Sequence, residues 1–245
     1  MAKKNNPNLY KAEDQRRMIG DGLSFAASEA YKLLRTNLMF SLPDESGCQI
    51  IGVTSAMRGE GKSTTAINMA YSMAQTGQRV LLLEADLRLP NIAKRLHIAS
   101  KPGISNLLAG QCKGSEVLQA SGLMENLAVI VAGDTPPNPA ELLSSKQMKI
   151  VVNSLAKSFD VIVVDLPPVN VVSDALIVSK MISGMVVVVR QDFCDRASLA
   201  EVVRKLRFAE TKILGFVMTG SNVHKKNYKR YGSDYADYGG KAKKK

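Results

Sequence analysis

The sequence "TSAMRGEGKST" (residues 54–64) decides the fold of this chain. It overlaps the end of a short apolar run, "QIIGVTS" (49–55), and it opens a stretch rich in helix formers (62–76). A glycine-rich turn between a buried strand and a helix lets backbone N–H groups and the positive helix end hold a phosphate. The alternative is a glycine-rich turn in which the lysine is incidental. We expect a strand, a phosphate-binding turn and a helix, in this order.

The residue types in this turn suit a triphosphate and its metal ion. Gly59 and Gly61 let the backbone approach a phosphate closely. Lys62 would reach the β- and γ-phosphate oxygens, and Ser63 could ligate Mg²⁺. The spacing from Ala56 onwards matches the P-loop, with alanine in place of the usual leading glycine. We therefore predict ATP and Mg²⁺ as cofactors, with the nucleotide bound by Arg58, Gly59, Glu60, Gly61, Lys62, Ser63 and Thr64.

Acidic residues end two further apolar runs. Asp165 ends "VIVVD", and Glu84 and Asp86 lie in "LLLEADLRLP" (81–90). Residues two apart on a strand share one face, so we expect Glu84 and Asp86 to point into the same site. Strand-terminal acids that cap neighbouring helices are the alternative. Three acids at two strand ends beside a P-loop favour a functional site.

Short apolar runs alternate with helical stretches along the chain. Most runs lack polar alternation, which is typical of strands that are covered on both faces. The pattern predicts an α/β fold with a doubly wound, mainly parallel sheet. The predicted strands are 49–55, 79–86, 127–133, 160–168, 184–190 and 213–220, and the predicted helices are 25–41, 62–76, 144–158, 173–182 and 195–209. We divide the chain into a flexible segment (1–22), one domain (23–222) and a disordered tail (223–245) rich in tyrosine and lysine.

The net charge of +11 is concentrated at the two ends. Residues 1–20 contribute +3 and residues 223–245 contribute +6, which leaves +2 for everything between them. A nearly neutral body argues against a nucleic-acid partner. The three cysteines form no C-x-x-C pair, which favours a reducing cytosol. No signal peptide is evident, and no apolar run approaches the roughly 20 residues of a membrane span.

Four of the seven tyrosines, Tyr228, Tyr231, Tyr235 and Tyr238, lie in the tail. Few apolar residues accompany them, so their rings have no core to join. A tyrosine normally buries its ring, and this cluster therefore suggests another use. An incidental cluster in a disordered tail is the alternative.

With these motifs in this order, the chain resembles the bacterial tyrosine kinases (BY-kinases) of capsular and exopolysaccharide synthesis, which are deviant P-loop ATPases. The resemblance runs from about residue 24 to the tail and includes "PPNPAELLSS" (136–145). It implies an ATP-dependent tyrosine autokinase that phosphorylates the four tail tyrosines in trans. The implied catalytic residues are Lys62, Glu84, Asp86 and Asp165, and the implied metal ligands are Ser63, Glu84, Asp86 and Asp165. The family usually carries Asp at position 84, Thr or Ser at 166 and Asn near 219, where this chain has Glu84, Leu166 and Thr219.

The resemblance also implies partners. The helix 25–41 carries Glu29, Lys32 and Arg35, which correspond to a motif for subunit contacts in a ring, with Lys32 in place of an Arg. Their spacing places them on one helix face, and a solvated charged face is the alternative. The family further implies a transmembrane co-polymerase-type activator, a tyrosine phosphatase and a place at the inner face of the cell membrane.

A second hypothesis is an ATP-dependent binding switch like the partition and septum-positioning ATPases. Those proteins usually have a signature lysine early in the P-loop, where this chain has Met57. Septum-type members also end in an amphipathic membrane helix, and the tail of this chain has no apolar face. The sequence therefore favours the kinase.

Overall fold

The computed structural model describes residues 18–42 and 47–220. In this part of the chain, seven strands form one sheet in the order β3-β4-β2-β5-β1-β6-β7. All neighbouring strands run parallel except β3, which is antiparallel to β4. The strands are β1 Gln49–Ser55, β2 Val80–Glu84, β3 Gln119–Ala120, β4 Leu127–Ile130, β5 Val161–Asp165, β6 Gly184–Arg190 and β7 Ile213–Thr219. The predicted doubly wound, mainly parallel α/β fold is confirmed.

Helices cover both faces of the sheet. They are α1 Phe25–Ser41, α2 Lys62–Ala74, α3 Ile92–Leu96, α4 Ile104–Leu108, α5 Gly114–Val117, α6 Pro139–Ser144, α7 Lys146–Leu155, α8 Asp174–Val178 and α9 Arg196–Phe208, with 3-10 turns at Gly20–Gly22 and Ser179–Met181. The stretch predicted as one helix over 173–182 is thus a short helix followed by a 3-10 turn. The strand β3 and the short helices α3 to α6 were not predicted, because elements of two to six residues show no measurable periodicity.

The two faces of β2 and β5 pack into two different apolar clusters. Leu81 and Leu83 belong to one cluster, and Val80 and Leu82 belong to the other. Every residue of β2 and β5 is buried. The unbroken apolar character of these runs therefore reflects burial on both faces, as predicted.

The register of the central strands brings the ends of β1, β2 and β5 to one edge of the sheet. Val53 of β1 lies opposite Asp165 of β5, and Glu84 of β2 lies opposite the same Asp165. β1 continues directly into the glycine-rich turn and α2. The carboxyl ends of the three central parallel strands, β2, β5 and β1, consequently surround the predicted phosphate site.

Helix α1 packs against α2. Its N-cap is Ser24, whose hydroxyl accepts the N–H of Ala27 at 3.3 Å. Residues just before α1 are also attached to α2: the side chain of Asn68 accepts the N–H of Gly20 at 2.9 Å and donates to the carbonyl of Met18 at 2.8 Å. Part of the segment 1–22, which we expected to be flexible, is therefore tied to the domain.

β7 forms one edge of the sheet. Among the described strands it pairs with β6 alone. Its side chains Phe216 and Met218 are 52% and 62% exposed. Exposed apolar side chains on an open strand edge mark a common place for contact with another segment. In the described ranges no helix has the length and apolar character needed to cross a bilayer.

Candidate active site

The turn between β1 and α2 has the backbone shape that its glycines predict. Gly59 and Gly61 have φ values of +85° and +94°, in the left-handed region that favours glycine. Gly61 is the N-cap of α2, and no side chain caps that helix end. The first N–H groups of α2 therefore remain available for an anion.

Glu60 holds this turn in shape through its side chain and its backbone carbonyl. Its buried carboxylate accepts the N–H of Met57 at 2.7 Å and the N–H of Arg190 at 3.4 Å. Its carbonyl accepts the hydroxyl of Thr219 at 2.6 Å, and Arg190 donates to the carbonyl of Gly59 at 3.2 Å. Glu60 thus joins the P-loop to the end of β6 through its side chain and to the end of β7 through its carbonyl, and it holds the loop in shape.

Lys62 brings most of the predicted catalytic residues together. Its ammonium lies 2.8 Å from Asp86 Oδ2, 3.5 Å from Asp165 Oδ1 and 3.4 Å from Ser63 Oγ. Burial works to lower the pKa of Lys62, but attraction to Asp165 and Asp86 outweighs it, so the pKa is raised above 10.5. Lys62 is therefore a fixed cation at the start of α2, next to the exposed N–H groups.

Asp165 has one carboxylate oxygen free to bind something else. The residue is fully buried, and its Oδ2 has no hydrogen-bond partner in the described ranges. Burial raises the pKa of Asp165, and the charge of Lys62 opposes the rise. A buried oxygen without a partner is costly, and a hydrated Mg²⁺ held by one or two carboxylates and phosphates would satisfy it. Asp165, Asp86 and the Ser63 hydroxyl together fit such an ion.

Glu84 is oriented differently from the prediction. Its Oε1 accepts the N–H groups of Asn91 at 2.5 Å and Ile92 at 2.8 Å, and its Oε2 accepts the N–H of Ala132 at 3.0 Å. Burial raises the pKa of Glu84, and these three hydrogen bonds oppose the rise. The carboxylate thus caps the start of α3 and fixes the chain after β4, which is the capping alternative for strand-terminal acids.

This arrangement corrects the expectation that Glu84 and Asp86 point into one site. Within the described residues, no group of three or more His, Cys, Asp or Glu side chains is placed to hold a metal ion. Backbone donors engage both oxygens of Glu84, which favours the capping role, and ligation of a metal ion by Glu84 stays a prediction. Ser63, Asp86 and Asp165 remain the predicted ligands that lie around Lys62.

Two residues that the sequence analysis missed hold the loop after β2. Arg88 donates to both carboxylate oxygens of Asp174, at 2.8 Å and 3.1 Å, and Asp174 is fully buried in the first turn of α8. Asp86 itself accepts the N–H of Leu89 at 3.1 Å through the oxygen that does not face Lys62. The sequence contained a sign of this role, because Arg88 lies two residues after Asp86 within "LLLEADLRLP" (81–90).

Arg95 is a further residue near the site that no sequence pattern indicated. Its guanidinium is half-buried and forms no ion pair with any described residue. The side-chain oxygen of Asn91, in the amide orientation that satisfies both groups, accepts from its Nε at 3.1 Å and its Nη2 at 3.2 Å. Burial lowers the pKa of Arg95, and the charge of Asp165 opposes this.

The remaining predicted residues lie apart from Lys62 or outside the described ranges. Arg58 is exposed and Thr64 is half-buried in the first turn of α2. On α1, Lys32 pairs with Glu29 at 2.7 Å, whereas Arg35 donates to the carbonyl of Ser72 within the same chain. The tail tyrosines Tyr228, Tyr231, Tyr235 and Tyr238 lie outside the described residues.

Comparison with known proteins identifies the family. A model described as an AAA domain matches residues 48–212. Tyrosine-protein kinase YwqD of Bacillus subtilis is 36% identical over 214 residues, which are 87% of this chain and 87% of the relative. The chain belongs to the bacterial tyrosine-protein kinases. The putative tyrosine-protein kinase CapB of Staphylococcus aureus is 32% identical over 84% of this chain and 91% of its own length.

Solved structures of related kinases have the same fold. The chimerical protein CapA2B2 matches with a TM-score of 0.74 and 31% identity over 78% of this chain and 83% of its own. The kinase domain of the Escherichia coli tyrosine kinase ETK also has a TM-score of 0.74, with 29% identity over 81% of this chain and 78% of its own. The predicted family and enzyme class are confirmed.

The septum-positioning alternative shares only the fold. The septum site-determining protein MinD of Pyrococcus horikoshii, complexed with Mg-ADP, has a TM-score of 0.60 and 22% identity over 71% of this chain and 72% of its own. At that identity the likeness concerns architecture alone, whereas the relatives at higher identity carry the name of tyrosine kinases.

Proposed function

We propose that this kinase uses Mg-ATP to phosphorylate Tyr228, Tyr231, Tyr235 and Tyr238 in the tail of a neighbouring copy. The phosphorylation would regulate capsular or exopolysaccharide synthesis and export. The observation that carries the proposal is the position of Lys62, held between Asp86 and Asp165 at an uncapped helix end. Phosphoryl transfer depends mainly on such positioning and charge neutralisation.

Each side chain of the site has a defined task in this proposal. The Lys62 ammonium exchanges its carboxylate partners for phosphate oxygens when ATP enters, and the α2 N–H groups hold the β-phosphate. Ser63 and Asp165 would hold Mg²⁺ directly and Asp86 would hold it through a bound water, which leaves the Asp86 carboxylate able to accept a proton; when bound, the ion supplies charge neutralisation. Glu60 and Arg190 keep the loop from rearranging during this exchange.

A base must accept the proton of the attacking tyrosine hydroxyl, whose pKa is about 10. Asp86 is the better candidate, because its Oδ2 becomes free once Lys62 turns to the phosphates. The two oxygens of Glu84 accept backbone N–H groups of Asn91, Ile92 and Ala132 and stay engaged. We therefore assign proton transfer to Asp86 and assign Glu84 to the support of α3.

Transfer between copies would occur in a ring that uses α1. Glu29 and Lys32 on this helix have side chains that are 41% and 44% exposed, so a neighbour can reach them. Phosphate groups of about −1.5 to −2 charges each would cancel or reverse the positive charge of the tail and weaken the ring. A transmembrane co-polymerase-type activator would place the kinase at the inner face of the membrane, and a tyrosine phosphatase would reset it.

The test is a mixing experiment with two variants of the full chain. One carries Lys62→Met and intact tyrosines, and the other is active but has Phe at all four tail tyrosine positions. We expect phosphotyrosine on the catalytically dead chain, at a rate that rises with protein concentration. Glu29→Ala should lower this rate without changing the melting temperature, because an exposed ion pair contributes about 0–1 kcal/mol. Labelling confined to a chain's own tail, at a rate independent of concentration, would contradict transfer between copies.

A further inference from the structure

A groove lies between α9 and the edge strand β7, apart from the active site. Its volume is about 580 Å³. Seven residues line it: Arg196, Leu199, Ala200, Val203, Arg204, Arg207 and Phe216. The bacterial tyrosine kinase reaction, as described above, uses none of these residues.

The groove combines an apolar floor with a cationic rim. Phe216 and the aliphatic side chains of α9 form the floor, and three arginines project from exposed turns of α9. Arg204 pairs with Glu201, whereas Arg196 and Arg207 form no ion pair with any described residue. Two arginines without an ion pair, eleven residues apart on α9, therefore line a groove that also contains an exposed aromatic ring.

This combination matches the two ends of a phosphotyrosine side chain. The ring of a phosphotyrosine needs an apolar surface or an aromatic neighbour, which Phe216 and Val203 offer. The phosphate needs planar, multidentate donors, and arginine provides these better than lysine. A plain apolar peptide would use the floor but leave Arg196 and Arg207 without partners.

The chain itself contains a tyrosine-rich segment that follows β7, the strand that carries Phe216. β7 ends at Thr219, three residues beyond Phe216, and the four-tyrosine segment follows it in the sequence. Tyr231 lies twelve residues after Thr219 in the sequence. A chain of that length can span at most about 40 Å, which is ample for either its own groove or that of a neighbour.

Charge makes the fit conditional on modification. Residues 223–245 carry a net charge of +6, so the arginines of the groove repel the unmodified segment. Four phosphate groups would add about −6 to −8 charges at neutral pH. The modified segment would then have a net charge between about 0 and −2, with its negative charges concentrated on the tyrosines.

We propose that the groove between α9 and β7 is the docking site for the tyrosine-phosphorylated tail of this chain. The proposal rests on the proposed function, in which the tail tyrosines are the substrates. Docking would withdraw the modified tail from the active site and cover the open edge of β7. The kinase would thereby bind its own phosphorylated product.

The experiment separates docking from catalysis by adding the phosphate groups chemically. The protein is the full chain with Lys62→Met and Phe at the four tail tyrosine positions, so it carries no phosphotyrosine of its own. The probe is a fluorescent synthetic peptide with the sequence of residues 225–241, made with phosphotyrosine or with tyrosine. Fluorescence anisotropy at 0.15 M salt should show binding that is at least about tenfold tighter for the phosphopeptide.

Two sets of variants assign the binding to the groove. Replacing Arg196 and Arg207 by Gln should weaken phosphopeptide binding at least about tenfold, since both charge-assisted contacts are lost. The matched control replaces Lys149 and Lys157 on and after α7 by Gln, which removes the same charge from exposed positions elsewhere. Phe216→Ala should weaken binding of the phosphotyrosine peptide but leave binding of the matching phosphoserine peptide unchanged.

Equal binding of the modified and unmodified peptides would overturn the proposal. An arginine variant that behaves like the lysine control would overturn it as well. Melting temperatures of the variants report whether they fold, and the exposed positions of Arg196 and Arg207 predict little change. If the phosphopeptide binds as expected while the mixing experiment gives no tail labelling, the docking site stands and the proposed autokinase reaction fails.

Discussion

We predict that the Glu84 carboxylate stabilises the fold through its hydrogen bonds to the backbone. In Glu84→Ala, three backbone N–H groups lose their acceptor, those of Asn91, Ile92 and Ala132. Ile92 and Ala132 are buried, so water replaces their partner poorly. At about 1–3 kcal/mol for each buried donor left unsatisfied, the free energy of unfolding should fall by about 2–6 kcal/mol.

Glu84→Gln should lower the free energy of unfolding by less than Glu84→Ala does, because it keeps one acceptor oxygen. Its oxygen can still accept from Asn91 and Ile92, but its NH₂ group then faces the N–H of Ala132, donor against donor. We expect a loss of about 1–3 kcal/mol from this one unsatisfied pair. Since burial raises the pKa of Glu84, the wild-type carboxylate is also costly to desolvate, and the neutral amide recovers part of the loss.

The assay is urea unfolding of the full chain without nucleotide, followed by circular dichroism. Glu125→Ala serves as the control, because that exposed carboxylate should change stability by no more than about 0.5 kcal/mol. Affinity for Mg-ATP and the rate of tail labelling are measured on the same proteins. If both Glu84 variants unfold like wild type while only the labelling rate collapses, Glu84 acts in the reaction and the capping role is wrong.

Three further predictions concern neighbouring parts of the structure. Lys62→Met should abolish tail labelling while far-ultraviolet circular dichroism stays native; undiminished labelling would reject the assigned site. Asn68→Ala should cost about 1–3 kcal/mol and speed proteolysis before α1, because it removes both bonds that tie residues 18–20 to α2; unchanged cleavage would contradict that attachment. Burial and the nearby Glu60 raise the pKa of Cys194 to about 11, so alkylation by iodoacetamide should stay slow at pH 7 and rise toward pH 11. A plateau already reached at pH 9 would contradict that environment, and Glu60→Gln should shift the profile to lower pH.

The fold could be predicted from the sequence because it depends on unbroken apolar runs. Runs such as "LLLE" and "VIVVD" can be satisfied only by burial on both faces, and glycines at 59 and 61 can serve only a tight turn. The meeting of Lys62 with Asp86 and Asp165 followed from the same logic, since parallel strands end at one edge of the sheet.

Side-chain direction at Glu84 did not follow from the sequence. Period-two reasoning applies along a strand, but β2 ends at Glu84 and the chain has already left the strand at Asp86. The donors that turn Glu84 away come from a five-residue helix and from the chain after β4, and neither leaves a periodic signal. Arg95 was missed for the same reason, because a single arginine on a short helix is indistinguishable from a solvated one.

The contacts around Lys62 also indicate how nucleotide binding would affect residues outside the P-loop. Asp86 is shared: one oxygen faces Lys62, and the other accepts the N–H of Leu89. Arg88, one residue before Leu89, is clamped to the buried Asp174 at the start of α8. When phosphates draw Lys62 away, the charge of Asp86 loses its partner while the loop that carries it stays anchored. The freed carboxylate is then available at a fixed position, which is what both a metal ligand and a proton acceptor require.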